Sequence, residues 1–248
     1  GTFFDVIFAD EAGQMSLADA LAVSHSARSM VLLGDPLQLP QVSQASHQFG
    51  SGESVLQHFL GDEVTISSQR GLFLDVSRRM HPSICSFISD WQYEGRLHAE
   101  SSCATLSTSV DSLTPGGTGL RVKLMNHVGN TTESSEEVLE VASIITNLIG
   151  KTWTNNSGET RTIGVEDVLV VVPFNDQRIA IDEALNSQPL TQGVQVGTVD
   201  KFQGREAAVV IFSIGVFELR RRYSPARFVL SMPNSFVAFN AIIASSRL

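Results

Sequence analysis

"FDVIFADEAGQ", residues 4–14, begins as an apolar run and stops on two adjacent carboxylates, Asp10 and Glu11. The aromatic and β-branched content from Phe4 to Ala9 is that of a strand, in which Val6, Ile7 and Phe8 are expected to be buried. Like charges at the end of a buried strand repel unless something positive sits beside them. A carboxylate pair at the C-terminal end of a parallel strand stands where open α/β sheets bind ligands. One acid there can hold Mg²⁺, directly or through water, while its neighbour orients and deprotonates an attacking water. The bland alternative is a strand end that runs into a helix, with acids favoured near the helix N-terminus.

Apolar runs of the same kind recur at 29–34, 72–76, 119–125, 167–174, 194–199 and 207–216. Segments with helical spacing lie between them, at 16–27, 83–92, 135–149 and 176–187. Strands buried on both faces and alternating with helices predict an α/β fold with a mostly parallel sheet. The polar segment 47–71, around one short helix, is the candidate domain junction, and 99–117 is expected to be an exposed loop.

The 248 residues are 42% hydrophobic, enough for a full core. No run of about 18 apolar residues suggests a membrane span, and the N-terminus lacks the pattern of a signal peptide. The chain therefore reads as soluble and cytoplasmic, with no membrane partner. Two cysteines and six scattered histidines suggest no structural zinc and a reducing compartment. Against 17 basic residues stand 26 acidic ones, a net charge of -9, so nucleic acid is not held by bulk charge but in a local groove.

A second strand, "MVLLGDPLQLPQV" at 30–42, ends at a turn where Gly34 and Pro36 fix the backbone around Asp35, and Gln38 follows as a neutral amide donor for a phosphate oxygen. Together "DEAGQ" and "GDPLQLP" resemble motifs II and III of superfamily 1 helicases. "LDVSRRMHPSICSFISDWQYEGRL", 74–97, resembles motif IV of the branch that holds the nonsense-mediated-decay and Dna2-type helicases. "VLVVVPFNDQ", 168–177, resembles the strand that follows in that family. "VGTVDKFQGREAAVVIFS", 196–213, is similar to motif V and is the most specific signature of the chain. The wording of these motifs is most similar to bacterial helicase modules fused behind a RecB-like nuclease region, although no nuclease motif stands among these residues.

The resemblance implies a RecA-like P-loop NTPase fold, with 1–66 the C-terminal part of a first RecA-like domain and 67–248 a second one. It implies ATP and Mg²⁺ as cofactors, single-stranded DNA or RNA as partner, and movement along that strand driven by hydrolysis of ATP bound between the domains. Asp10 matches the Mg²⁺ position and Glu11 the general base. Gln38 matches the γ-phosphate sensor. Arg79 matches an arginine finger, a planar cation suited to the charge that spreads over phosphoryl oxygens in the transition state. Gly204 and Glu206 match the glycine that lets backbone approach phosphate and the acid that binds ribose. Asp35 and Gln177 join the cofactor-binding set. Thr198, Asp200 and Gln203 face nucleic acid or relay the ATP state. Arg78 is the expected holder of a surface salt bridge in "SRRMHP".

Two departures qualify this expectation. Motif I, the phosphate-cradling loop, lies far upstream of motif II in the family, and "LIGKTW", 148–153, only imitates it: Gly150 is expected to end a helix there. Without that cradle, this chain alone is not expected to hydrolyse ATP, and a non-catalytic RecA-like module for binding a protein or nucleic acid is the alternative. Motif VI is divergent, with Arg247 of "IASSRL" the candidate second finger. His81 is expected to order a helix start with Pro82 rather than to catalyse. Trp91 and Tyr93 are expected in the core with Phe87, base stacking being the other use of such rings.

Overall fold

The computed structural model describes residues 3–37, 53–61, 63–109, 117–125, 130–202, 205–215 and 236–245, the last segment and Asp200 by backbone alone. The chain divides into two units, one made of Gly1–Leu74 with Gln92–Glu94, the other of Asp75–Trp91 with Gly95–Leu248.

In the first unit, β1 (Phe4–Ala9) pairs in parallel with β2 (Ala27–Leu32), so that Phe8 lies opposite Val31. Helix α1 (Leu17–Ser24) makes the crossover, as parallel pairing demands. Its start is set locally, because the Ser16 hydroxyl accepts the Asp19 N–H at the N-cap. Helix α2 (Val55–Leu60) has Ser54 in the same role. A small core joins Ala12, Ala20 and Val55, with Leu17, Leu32 and Leu56 packed on it. The sequence reading buried β1, and the structure corrects it: Phe4 and Phe8 are 66% and 68% exposed and Val6 is exposed too, because among the described residues this sheet has only two strands and one covered face.

In the second unit, a short parallel pair, β3 (Val76–Ser77) and β4 (His98–Ala99), flanks α3 (Pro82–Gln92). The run expected as a strand at 72–76 is thus reduced to its last residue plus Ser77. Next come β5 (Ser107–Thr108), β6 (Gly119–Met125), α4 (Ser135–Leu148), β7 (Thr152–Thr154) and β8 (Thr160–Thr162). The remaining elements are β9 (Val168–Val171), α5 (Asn175–Asn186), β10 (Gln195–Gly197), β11 (Ala207–Ser213) and β12 (Phe236–Ser245). Five strands form one parallel sheet in the order β10-β9-β11-β12-β6. Both faces of β9 and β11 are buried, as their uninterrupted apolar sequence requires. Val141, Ile145 and Leu148 of α4 and Ile181 and Leu185 of α5 pack there against Val168, Val170, Val209 and Ile211. Each such side chain contributes roughly 1.5–3 kcal/mol relative to exposure.

Helices α4 and α5 match the segments read from periodicity at 135–149 and 176–187 almost to the residue. The region expected as a loop at 99–117 contains a 3₁₀ turn and β5, which joins β7 and β8 in an antiparallel three-stranded sheet absent from the sequence reading. Gly150 adopts φ +85° just past α4. Its N–H goes to Ile163 and that of Lys151 to Leu148, so these amides close a helix end rather than cradle an anion. Among the described residues, no helix is long and apolar enough to cross a membrane.

Candidate functional site

The first group of site residues lies where β1 and β2 end. After Ala9 the chain turns sharply: the Asp10 carboxylate accepts the Glu11 N–H at 2.9 Å, and Glu11 takes the left-handed conformation, φ +53°. A non-glycine residue there is strained by roughly 1 kcal/mol, which surrounding contacts must hold in place. They do: Leu33 N–H donates to Ala9, and Ala12 N–H donates to Leu33. The two loops cross so closely that a Cβ on Gly13 would stand 2.2 Å from the Asp35 carbonyl oxygen, and one on Gly34 would stand 2.8 Å from the Ala12 nitrogen. Only glycines fit this crossing. Asp10 and Glu11 are both exposed, so water screens their repulsion, and the burial problem posed by the sequence does not arise.

Asp35 is held from both sides. One carboxylate oxygen accepts the Leu37 N–H at 2.9 Å, an Asx turn, and the other accepts the hydroxyl of buried Tyr93. Its carboxylate therefore orders the loop after β2. Tyr93 is buried as expected, but its tie to Asp35 had no signal in sequence, since 58 positions separate the two.

The second group lies in the second unit. Arg79 Nε pairs with the carboxylate of Glu206, so the expected finger and the expected ribose ligand meet each other. Arg78, expected to carry the salt bridge, has only a long contact of 3.9 Å to Glu100. Both arginines are exposed, and such pairs are worth at most about 1 kcal/mol. Thr198 is half-buried where β10 gives way to a short 3₁₀ turn, and its carbonyl accepts the Lys201 N–H. Gly197 beneath it leaves no room for a Cβ against Lys201 and Phe202. Gln38, Gln203, Gly204 and Arg247 lie outside the described residues, as does the side chain of Asp200.

Gln177, expected in the cofactor-binding set, lies in a buried hydrogen-bond network. It is fully buried, its carbonyl accepts the Ser134 N–H at 2.7 Å, and its amide donates to Ser213 at 2.8 Å. Ser213 in turn donates to buried Glu137, which also accepts the Gly215 N–H. This network ties α4 and α5 to the end of β11 and makes Gln177 a structural bridge. The sequence signal for it was Ser134-x-x-Glu137, which reads only as a helix start.

His81 caps α3: its Nδ1 accepts the Ser83 N–H, and its carbonyl accepts Ile84 and Cys85. Burial holds its pKa below the ordinary 6.5, favouring the neutral ring that the cap needs. A lowered histidine pKa contributes stability that is complete above 6.5 and is lost as pH falls below that value. Between pH 7 and 5 the wild-type chain is expected to lose more thermal stability than His81→Asn, whose amide caps without titrating. Parallel losses in the two melting series would remove this role from His81.

Phe87 and Trp91 are not core residues. They form an edge-to-face pair at 5.9 Å and are 44% and 45% exposed, while α3 buries Ile84, Cys85 and Ser89 instead. Cys85 and Cys103 are buried free thiols, and burial pushes the pKa of each up, so neither is a ready nucleophile.

The sequence profile of the family described as "AAA domain" matches residues 52–218. The chain belongs to this AAA_12 family. The AAA_12 chain is also 27% identical over 223 residues to "Probable helicase senataxin" of Homo sapiens, covering 85% of this chain and 8% of that protein. It is 30% identical over 232 residues to "3'-5' exoribonuclease HELZ2" of Mus musculus, covering 84% of this chain and 7% of that one. To "DNA replication ATP-dependent helicase/nuclease DNA2" of Gallus gallus it is 26% identical over 212 residues, covering 85% of this chain and 19% of that protein. The AAA_12 chain thus spans under a tenth of the first two relatives, at 8% and 7% of their lengths.

Proposed function

We propose that this chain is part of a superfamily 1 helicase that couples ATP hydrolysis to movement on single-stranded DNA or RNA. The observation that carries the reading is the exposed Asp10–Glu11 pair at the end of a parallel strand, with Glu11 held at φ +53° over a glycine crossing. The family and the helicase names of its relatives support it. Motif wording supports a parent in which a RecB-like nuclease region is fused to the helicase.

The residues fit Mg²⁺. Among the described residues no three His, Cys, Asp or Glu side chains gather into a cage, and Mg²⁺ with a nucleotide needs only one or two carboxylates beside phosphates and water. Asp10 would hold the ion, and when bound it neutralises charge on the phosphate oxygens. Glu11 accepts the proton of the attacking water. Gln38 senses the terminal phosphate. Arg79 binds the charge that develops on the transferred group, which requires it to leave Glu206, and Glu206 then accepts from the ribose. Thr198, Asp200 and Gln203 carry the change to the strand, with Gly204 near phosphate and Arg247 as a second finger.

The test is ATP turnover by the full-length protein with and without single-stranded nucleic acid. Turnover is expected to rise when the strand is added, and strand affinity to fall steeply with salt because the grip is on phosphates. Turnover indifferent to any strand would leave the non-catalytic RecA-like binding module as the better reading.

A further inference from the structure

The strained turn at Glu11 is backed by the loop that carries Asp35. The Asp35 carbonyl oxygen lies so near Gly13 that a Cβ there would stand 2.2 Å from it, and the Ala12 N–H donates to the Leu33 carbonyl at the start of the same loop. A non-glycine residue at φ +53° persists only where its surroundings over-determine it. Whatever holds the Asp35 loop in place therefore helps to hold Glu11 in place.

Two hydrogen bonds to the Asp35 carboxylate do so. One comes from the Leu37 N–H and is local, so it shapes the loop without anchoring it. The other comes from the Tyr93 hydroxyl, which reaches Asp35 from a distant part of the chain. A bond to a charged acceptor is among the stronger kinds. Tyr93 is well seated to give it. The residue is 7% exposed, its ring lies 6.1 Å from that of Phe73, and the carboxylate of the next residue, Glu94, accepts from the hydroxyl of buried Thr65. All of these residues belong to the first unit, which takes in Gln92–Glu94 where α3 ends.

We infer that Tyr93 is a positioning residue for Glu11: by pinning Asp35 it holds the loop crossing on which the left-handed turn, and with it the aim of the Glu11 carboxylate, depends. This rests on the reading above, in which Glu11 accepts the proton of the attacking water; what it adds is a buried tyrosine that sets the geometry of the base.

Tyr93→Phe keeps the buried ring and removes only the hydroxyl. In the full-length protein it is expected to lower kcat about fivefold, the size of one lost hydrogen bond, with ATP affinity unchanged. Placed on top of Glu11→Gln it should cost nothing more in single-turnover hydrolysis, because two residues that act through one group are not additive. Unchanged kcat overturns the inference. So does a parallel loss of ATP affinity, or a further fivefold loss in the Glu11→Gln background, since either marks a general structural defect. If the wild-type protein turns over no ATP, the helicase reading fails instead, and hydrogen exchange decides the positioning. Faster exchange in Tyr93→Phe, confined to peptides that contain Ala12 or Leu37, supports it, whereas unchanged exchange or a rise throughout the first unit overturns it.

Discussion

Glu11→Gln in the full-length protein is expected to lower ATP turnover by about 10³-fold or more while leaving ATP affinity within about threefold. Glutamine matches glutamate in shape and removes only the charge that accepts the proton from water. The side chain is exposed, so the exchange leaves no buried charge unpaired, and glutamine meets the same left-handed backbone that glutamate already occupies. The fold is therefore unaffected, and a melting curve like wild type is part of the expected result. Steady-state turnover at saturating strand measures the first quantity, and displacement of a fluorescent nucleotide measures the second. Turnover within threefold of wild type would take the general-base role away from Glu11.

Arg79→Ala is expected to cost about 10³-fold or more in kcat, the range found for fingers that neutralise a transferring phosphoryl group. Lysine should rescue little, because a point charge cannot bind two oxygens as the planar guanidinium does. The observed pair with Glu206 supplies the rival explanation and also the way to separate it. If Arg79 only holds that exposed ion pair, then alanine should change stability by at most about 1 kcal/mol and leave kcat intact. Glu206→Gln breaks the same pair while keeping the finger, so it should spare kcat and raise KM through the ribose contact. Equal kcat losses in the two variants would show that the pair itself, and not the free finger, is what the reaction needs.

Much of the fold is visible in local pattern. The strands β1, β6, β9 and β11 and the helices α1, α3, α4 and α5 follow from apolar runs and helical spacing, with serines at the starts of α1, α2 and α4 marking their N-caps. Those signals suffice because caps and periodicity act over a few residues. The β7–β8 hairpin left no such trace: its strands are three residues each, and Thr, Asn, Ser and Gly read as loop. Helical spacing grouped Phe87 with Trp91 correctly but pointed their face inward, since a repeat reveals which residues share a face and not what that face meets.

By itself the sequence determined the α/β alternation, the acids at the end of β1, and the motif residues that resemble those of superfamily 1 helicases. Tertiary structure alone decided which partners those residues meet. The left-handed turn at Glu11 exists because two glycine-lined loops cross there. Asp35 serves Tyr93, Gln177 serves Ser134 and Ser213, and Arg79 rests on Glu206, because chain segments distant in sequence are brought within hydrogen-bonding reach. Those partnerships depend on burial and distance, and neither is a property that a residue carries in its own sequence neighbourhood.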